Sequence, residues 1–393
     1  MGQWGGDAVG VHRARALLPR RLRPALPLGG GRVGVEHEFR LTRGVEAVDA
    51  RVLLPTLRLD GARLDPGDPL AVRCAWGGVI TADGKEAEVA TPPFRADGDG
   101  VRRVVDAAAT GRAVLAAALP DDIAIEGYST HLNVEIEDRL CRPAALIAAH
   151  RLSPALMLLD RRESPGLLIR PRHRRLEFGG DHIEGVALCT ALVMAVGATL
   201  VAERAASSSA SRRCLPPELQ LRIVPSPQRF GWYVDRAAGG DDLYELGRSC
   251  TFRTRDGATI TAQEVLERTW ELARSAVTGL LSADDIALVD DTVRGDRPLP
   301  SEAEPSVRVE PVDAGVAFAA SVVHTRQRGD VELTVVTATW HAIVVRARCD
   351  GRERFIRVPG ERADDFLRSV DAGELDEWLH EQFPRHRSRV SAR

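Results

Sequence analysis

Acidic and histidine side chains recur at i, i+2 spacing in four strand-like segments of this chain. They are Val33-Gly34-Val35-Glu36-His37-Glu38-Phe39, Glu86-Ala87-Glu88-Val89-Ala90-Thr91-Pro92-Pro93, His131-Leu132-Asn133-Val134-Glu135-Ile136 and Arg174-Arg175-Leu176-Glu177-Phe178. Side chains of a strand alternate between faces, so residues two apart share one. Glu36 points with Glu38, Glu86 with Glu88, His131 with Asn133 and Glu135, and Arg175 with Glu177. Carboxylates gathered on one sheet face repel one another unless cations lie between them. Hard divalent ions want such oxygen-rich sites, and Mg²⁺ there commonly also holds substrate phosphates. Taken singly, each segment reads as a solvent-facing strand, a structural histidine or a surface ion pair of little energetic worth. The repetition is what points to a site.

The rest of the chain must position these strands. With 393 residues it is long enough for one large core or two domains. A net charge of −3 gives no bulk attraction to nucleic acid or membrane surfaces, and neither is expected as a partner. The six cysteines, at 74, 141, 189, 214, 250 and 349, form no C-x-x-C pair, which argues against a zinc knuckle or redox motif. With no apolar secretory segment, a reducing cytoplasm is the simplest expectation. The apolar stretch from Val186 to Ala202 holds Thr190, Gly197 and Thr199 and reads as a helix buried against a sheet rather than a membrane span.

Residues 1–31 are rich in Gly, Arg and Pro without periodicity and read as a flexible N-terminal arm. From Val33 the pattern turns strand-like. Ala71 to Ile80 and Glu86 to Ala90 read as strands paired through an Ala82-Asp83-Gly84 turn. Asp99 to Leu119 reads as an amphipathic helix ended by Pro120, Ile123 to Ile136 as strand, and Arg142 to Asp160 as helix with Pro143 in its first turn. Leu167 to Phe178 reads as one strand, Asp181 to about Ser207 as a long helix, and residues 214–260 as an aromatic-bearing loop of the kind that can overlie a site. Thr261 to Leu281 reads as a helix and 298–305 as a linker. Strand patterns at 307–323, 331–336, 341–348 and 354–358 and a helix over 364–383 then make a small C-terminal α+β domain. The expected organisation is an arm at 1–31, a catalytic domain at 32–297 and an appendage at 306–393.

Together the four segments resemble the carboxylate–amine ligases of the glutamate–cysteine ligase type, within the glutamine-synthetase-like superfamily. The resemblance rests on Gly34-Val35-Glu36-His37-Glu38-Phe39, similar to that family's Gly-Val-Glu-Glu-Glu-Phe, on Glu88-Val89-Ala90-Thr91-Pro92-Pro93, on His131 within a strand, and on Arg175-Leu176-Glu177-Phe178, similar to Arg-Ile-Glu-Phe. It covers about residues 32 to 205. His37 stands where the family has Glu, Asn133 where its His-x-His strand has a second His, and Gly179-Gly180-Asp181 where Arg-x-x-Asp is usual.

The resemblance implies an α+β fold, a curved antiparallel sheet flanked by helices, whose concave face holds Mg²⁺ and ATP. It implies an enzyme that phosphorylates a small carboxylate, glutamate being the expected one, and joins the resulting acyl phosphate to an amine or amino acid, giving a γ-glutamyl amide. Glu36, Glu38, Glu88, His131 and Glu177 would hold the metal. Arg175, with Glu177 beside it, would act on the transferring γ-phosphate. Arg95 or Arg229 would bind a substrate carboxylate, and Lys85, the only lysine, is a further candidate for ATP. The unusual C-terminal tail and the altered His-x-His strand favour a specialised role, such as amino-acid-derived secondary metabolism, over housekeeping glutathione-like synthesis. The same residues are compatible with a phosphotransferase or with a nucleotide- or amino-acid-binding protein that has lost catalysis. A homo-oligomer is compatible with all of these.

Overall fold

The computed structural model describes residues 31–62, 68–207, 215–302 and 325–383. Most of the expected N-terminal arm, the strand pattern at 307–323, Cys214 and the end of the linker lie outside the described residues.

The four acid-bearing segments are neighbours in one large antiparallel sheet. Its central strands are β1 (Arg32–Arg43), β2 (Val79–Asp83), β3 (Glu86–Ala90), β4 (Ala124–Glu135), β5 (Gly166–Arg172), β6 (Arg175–Asp181) and β7 (Gly231–Asp235). Across the sheet the order runs β7-β5-β6-β4-β1-β3-β2. β1 is therefore flanked by β4 and β3, and β4 by β6. Two hairpins and the long β1–β4 pairing make this arrangement, with a bulge in register after Glu38/Ser129.

One face of the sheet is apolar, as alternation demands. Val33, Val35 and Phe39 of β1, Ala87 and Val89 of β3, Leu132 and Val134 of β4, and Leu176 and Phe178 of β6 are all buried. Helices α1 (Gly100–Ala118) and α2 (Gly185–Ser207) pack against strands of this sheet. α2 is apolar all round because it is enclosed. Leu188, Leu192, Val193, Met194 and Val196 are at most 1% exposed, and α3 (Ala262–Val277) and α4 (Ala283–Arg294) pack on it. Each such side chain contributes about 1.5–3 kcal/mol on burial. α2 is long and apolar enough to cross a membrane, but 72% of its most hydrophobic window is buried in protein. α3 starts at a reciprocal cap in which Thr261 and Glu264 satisfy each other's backbone N–H groups.

The expected α+β architecture, an antiparallel sheet flanked by helices, is the one observed. Several local expectations are corrected. Leu167 to Phe178 is two strands, β5 and β6, folded on a His173-Arg174 turn, with Arg174 at φ 58°. No Gly or Asn advertises that turn. The β2–β3 hairpin turns at Gly84-Lys85, one residue later than expected, with Gly84 at φ 59°. β6 runs to Asp181, so α2 begins at Gly185 rather than near Asp181. The aromatic stretch read as a loop contains β7, which pairs with β5 and extends the sheet.

The C-terminal residues form a second compact unit. It holds an antiparallel meander of Thr325–Arg328, Val331–Ala338, Ala342–Cys349 and Arg352–Pro359, followed by helices Ala363–Ala372 and Asp376–Gln382. The single helix expected over 364–383 is thus two, separated at Gly373 with φ 79°. Its core is Val331, Leu333, Val345, Phe366, Val370 and Leu379.

Candidate active site

The register brings the predicted acids together on the face opposite the apolar one. Glu38 is paired with Glu88 across β1–β3 and with Ser129 across β1–β4. Glu36 is paired with His131, and Glu177 with both Asn133 and Arg170. Paired residues in an antiparallel ladder present their side chains on the same side. Glu36, Glu38, Glu88, His131, Asn133, Arg175 and Glu177 accordingly form one belt.

The contacts within the belt are close. His131 Nδ1 lies 3.6 Å from Glu36 Oε2 and 3.8 Å from Glu38 Oε1. Ser129 donates its hydroxyl to Glu38 Oε2 at 2.8 Å. Arg175 donates Nε–H to Asn133 Oδ1 at 2.7 Å, and its Nη2 is 3.7 Å from Glu36 Oε1. Asn133, which stands where the resembled family has histidine, thus orients an arginine. Glu177, fully buried, is ion-paired with Arg170 and accepts from Arg172 Nε at 2.7 Å. Arg170 Nη2 also reaches His131 Nδ1 at 3.5 Å.

Protonation follows from this layout. Burial opposes charge on Glu36, but its hydrogen bond to His131 and the nearby Arg175 hold its carboxyl below the usual range. Burial likewise opposes charge on His131, yet Glu36, Glu177 and Glu38 around it push its pKa up. Glu88 is the exception. Burial and the charges of Glu36, Asp83, Glu38 and Glu177 raise its pKa well above the ordinary value. The other acids of the belt have an arginine, a histidine or a hydroxyl to lean on, and Glu88 has acids.

Two ligand sets emerge, each with one ligand atom per residue within 4.8 Å of the others. One is Glu38, Asp83 and Glu88, and the other is Glu36, His131 and Glu177. The first fits a hard divalent cation better, being all carboxylate and pushing one member toward its neutral form. The second already has Arg170 and Arg172 on Glu177 and a histidine whose raised pKa favours the proton over a metal.

Asp83 is left out of the sequence-derived ligand set by the expected Ala82-Asp83-Gly84 turn. In the actual hairpin it ends β2 opposite Glu86, two residues from Thr81, and Thr81 is the partner of Glu88. Arg170 and Arg172 were missed with the unrecognised β5–β6 turn, which folds them onto Glu177.

The remaining predicted residues are dispersed. Lys85 lies at the exposed tip of the β2–β3 hairpin, near Asp49. Arg95 pairs in register with Arg32, two strand positions beyond Gly34 on the face of Glu36, and is ion-paired with Asp97 at 2.7 Å. Arg229 lines a cavity of about 370 Å³ with Leu168, Arg170, Gln228, Phe230 and Tyr233. Tyr233 is the register partner of Leu168, two positions from Arg170, so this cavity opens on the acid face. Arg170 joins it to the belt, and the Arg229 guanidinium lies 4.8 Å from the centre of the Phe230 ring. His37, between Glu36 and Glu38, projects to the opposite face. It is buried, and burial together with the charges of His182 and Arg112 holds its pKa well below the usual range, so the ring is neutral.

No family model and no curated protein sequence matches the chain. Among solved structures, the Pup ligase PafA in complex with the prokaryotic ubiquitin-like protein Pup is similar at a TM-score of 0.41, with 12% identity over 68% of this chain and 65% of that one. PafA in complex with ADP is similar at a TM-score of 0.36, with 13% identity over 57% of this chain and 61% of that one. This chain therefore matches less than two thirds of the length of the solved ligase chains.

Proposed function

We propose that the protein is an ATP-dependent carboxylate–amine ligase that makes an amide, a γ-glutamyl amide in the first instance, through an acyl phosphate. The observation that carries this reading is the juxtaposition on one sheet face of an all-carboxylate cation pocket, Glu38, Asp83 and Glu88, with the guanidiniums of Arg170 and Arg175. The four sequence segments that resemble glutamate–cysteine ligases supply this belt.

The chemistry follows from charge. A carboxylate is a poor electrophile, and phosphorylating it installs a leaving group. The substrate carboxylate attacks the γ-phosphorus of ATP and ADP departs. The amine then attacks the acyl carbon and expels phosphate. Both reactants of the first step are anionic, so the site must supply positive charge where they meet. Arg175, steadied by Asn133, and Arg170, steadied by Glu177, are fixed guanidiniums suited to phosphate oxygens. A divalent cation held by Glu38, Asp83 and Glu88, with Glu36, His131 and Glu177 as the second candidate set, would add Lewis-acid neutralisation of the same oxygens. The 370 Å³ cavity beside Arg170, with its Phe230 and Tyr233 rings, is of a size for a small-molecule moiety. Arg229, which lines the cavity, would hold an anionic group there.

The test is ADP release from Mg·ATP with and without glutamate, against a pool of amines and amino acids, with products read by mass spectrometry. Glutamate- and amine-dependent ADP release with a new γ-glutamyl mass is expected. ATP binding without turnover on any acid–amine pair would overturn the ligase reading.

A further inference from the structure

Behind the acid belt, on the helix-covered face of the sheet, lies a second group of metal-ligating side chains. His37 of β1 is 1% exposed, and among the described residues neither of its ring nitrogens makes a well-formed hydrogen bond, although the Ile183 backbone interacts with the ring. Its ring centre is 4.6 Å from that of His182, which is 8% exposed and whose Nδ1 also lacks a partner. His182 Nε2 is 3.1 Å from Glu184 Oε1. One ligand atom from each of His37, His182 and Glu184 lies within 4.8 Å of the other two. His182 has room because β4 carries Gly127 beneath it. A Cβ there would sit 2.1 Å from His182 Cδ2 and 2.7 Å from Nε2.

Buried polar atoms normally find partners, and three imidazole nitrogens in one spot with no well-formed hydrogen bond among the described residues need an explanation. We infer that His37, His182 and Glu184 bind a borderline divalent transition ion such as Zn²⁺. Two imidazole nitrogens and one carboxylate oxygen match the preference of such an ion, whereas Mg²⁺ and Ca²⁺ favour all-oxygen sites. Small side-chain rotations would bring the ligand atoms to the roughly 3.3 Å separation that bonds of about 2.0 Å in a tetrahedron impose. Arg112 of α1, 3.4 Å from Glu184 Oε2, orients the carboxylate and leaves its charge to be shared. Glu184 is partly exposed and gives the ion a way in. His182 and Glu184 lie in the connection between β6 and α2, so the ion would clamp that connection to the strand carrying Glu36 and Glu38. This inference does not depend on the ligase reading.

The test uses the full chain, stripped with a chelator and titrated with Co²⁺ as a spectroscopic stand-in for Zn²⁺. One equivalent should produce the intense visible d–d absorption of a four-coordinate ion, be displaced by Zn²⁺ and resist excess Mg²⁺. His182→Ala and Glu184→Gln should weaken Co²⁺ binding at this site at least tenfold, while Glu267→Gln, exposed on α3, should leave the band unchanged. Absence of the band, its persistence in both back-face variants, or its loss on adding Mg²⁺ would overturn the assignment. Should either variant lose its circular dichroism, X-ray absorption of the Co²⁺-loaded parent decides. Two imidazole nitrogens are expected in the coordination shell, and an all-oxygen shell refutes the site.

Discussion

Asp160 is a buried acid held against the end of β6. Its carboxyl is buried at 5% exposure, and burial, with the charge of Asp181 adding to it, pushes its pKa up to about 7 from 3.8 despite hydrogen bonds that favour the anion. It accepts the backbone N–H groups of Arg161 at 2.8 Å and Asp181 at 3.0 Å, both on Oδ1, and the Tyr244 hydroxyl at 3.3 Å on Oδ2. Gly180 lets the carboxylate approach, since a Cβ there would be 2.4 Å from Oδ2. Asp160 thus ties down the end of β6. The folded protein keeps this proton to higher pH than the unfolded chain does. The stability Asp160 contributes is therefore complete below about pH 4 and is lost as pH rises toward 7. A shift from 3.8 to about 7 corresponds to about 4 kcal/mol over that window. Asp160→Asn copies the neutral form, keeps one oxygen for both backbone donors and has no proton to lose. In urea unfolding at pH 5, 6, 7 and 8, the variant's stability relative to the parent should climb with pH by up to about 1.4 kcal/mol per unit and level off above 7. A difference that is constant with pH would refute the assignment of a buried, late-titrating carboxyl.

Three further outcomes are expected. Glu36→Gln should lower ATP turnover by about 10²–10³-fold, the scale of losing one group that positions charge in a transition state, with thermal unfolding nearly unchanged. Glu177→Gln should abolish turnover and also destabilise, because Arg170 and Arg172 would be left uncompensated, and comparing melting curves of the two variants checks this. Arg229→Ala should raise KM for one substrate with kcat retained, as steady-state kinetics would show, because it lines the cavity and lies outside the belt.

The belt itself was legible in the sequence because alternation is a rigid rule. Once Glu36, Glu88, His131 and Glu177 lie on strands, their i+2 partners share their face. What alternation cannot supply is the turn. The His173-Arg174 reversal is made without glycine or asparagine, with Arg174 held at φ 58°, so one apolar-and-basic run concealed two strands and with them Arg170 and Arg172. Asp83 was hidden by a shift of one residue in the expected β2–β3 turn, which decided whether it counted as loop or as strand facing Glu88. The same alternation carries His37 to the far face. Its partners there, His182 and Glu184, come from a connection that the sequence pattern assigned to helix α2.

The charge balance of the belt governs how a cation would enter it. Arg170, Arg172, Arg175 and His131 already compensate Glu36 and Glu177, whereas Glu88 is set among acids that raise its pKa well above normal. An ion arriving between Glu38, Asp83 and Glu88 would then displace a proton rather than an arginine. Metal and proton compete for Glu88, so affinity must rise with pH across the titration of that group. For one displaced proton the apparent Mg²⁺ dissociation constant falls about tenfold per pH unit below the Glu88 pKa and flattens above it. Calorimetric titrations of Mg²⁺ at unit intervals from pH 5 to pH 9, in buffers of different ionisation enthalpy, read both the affinity and the proton released. Glu88→Gln should weaken binding at high pH, abolish the slope and release no proton. A flat affinity profile in the parent, or an unchanged slope in the variant, would place the cation elsewhere on the face and leave Glu36, His131 and Glu177 as the set to test.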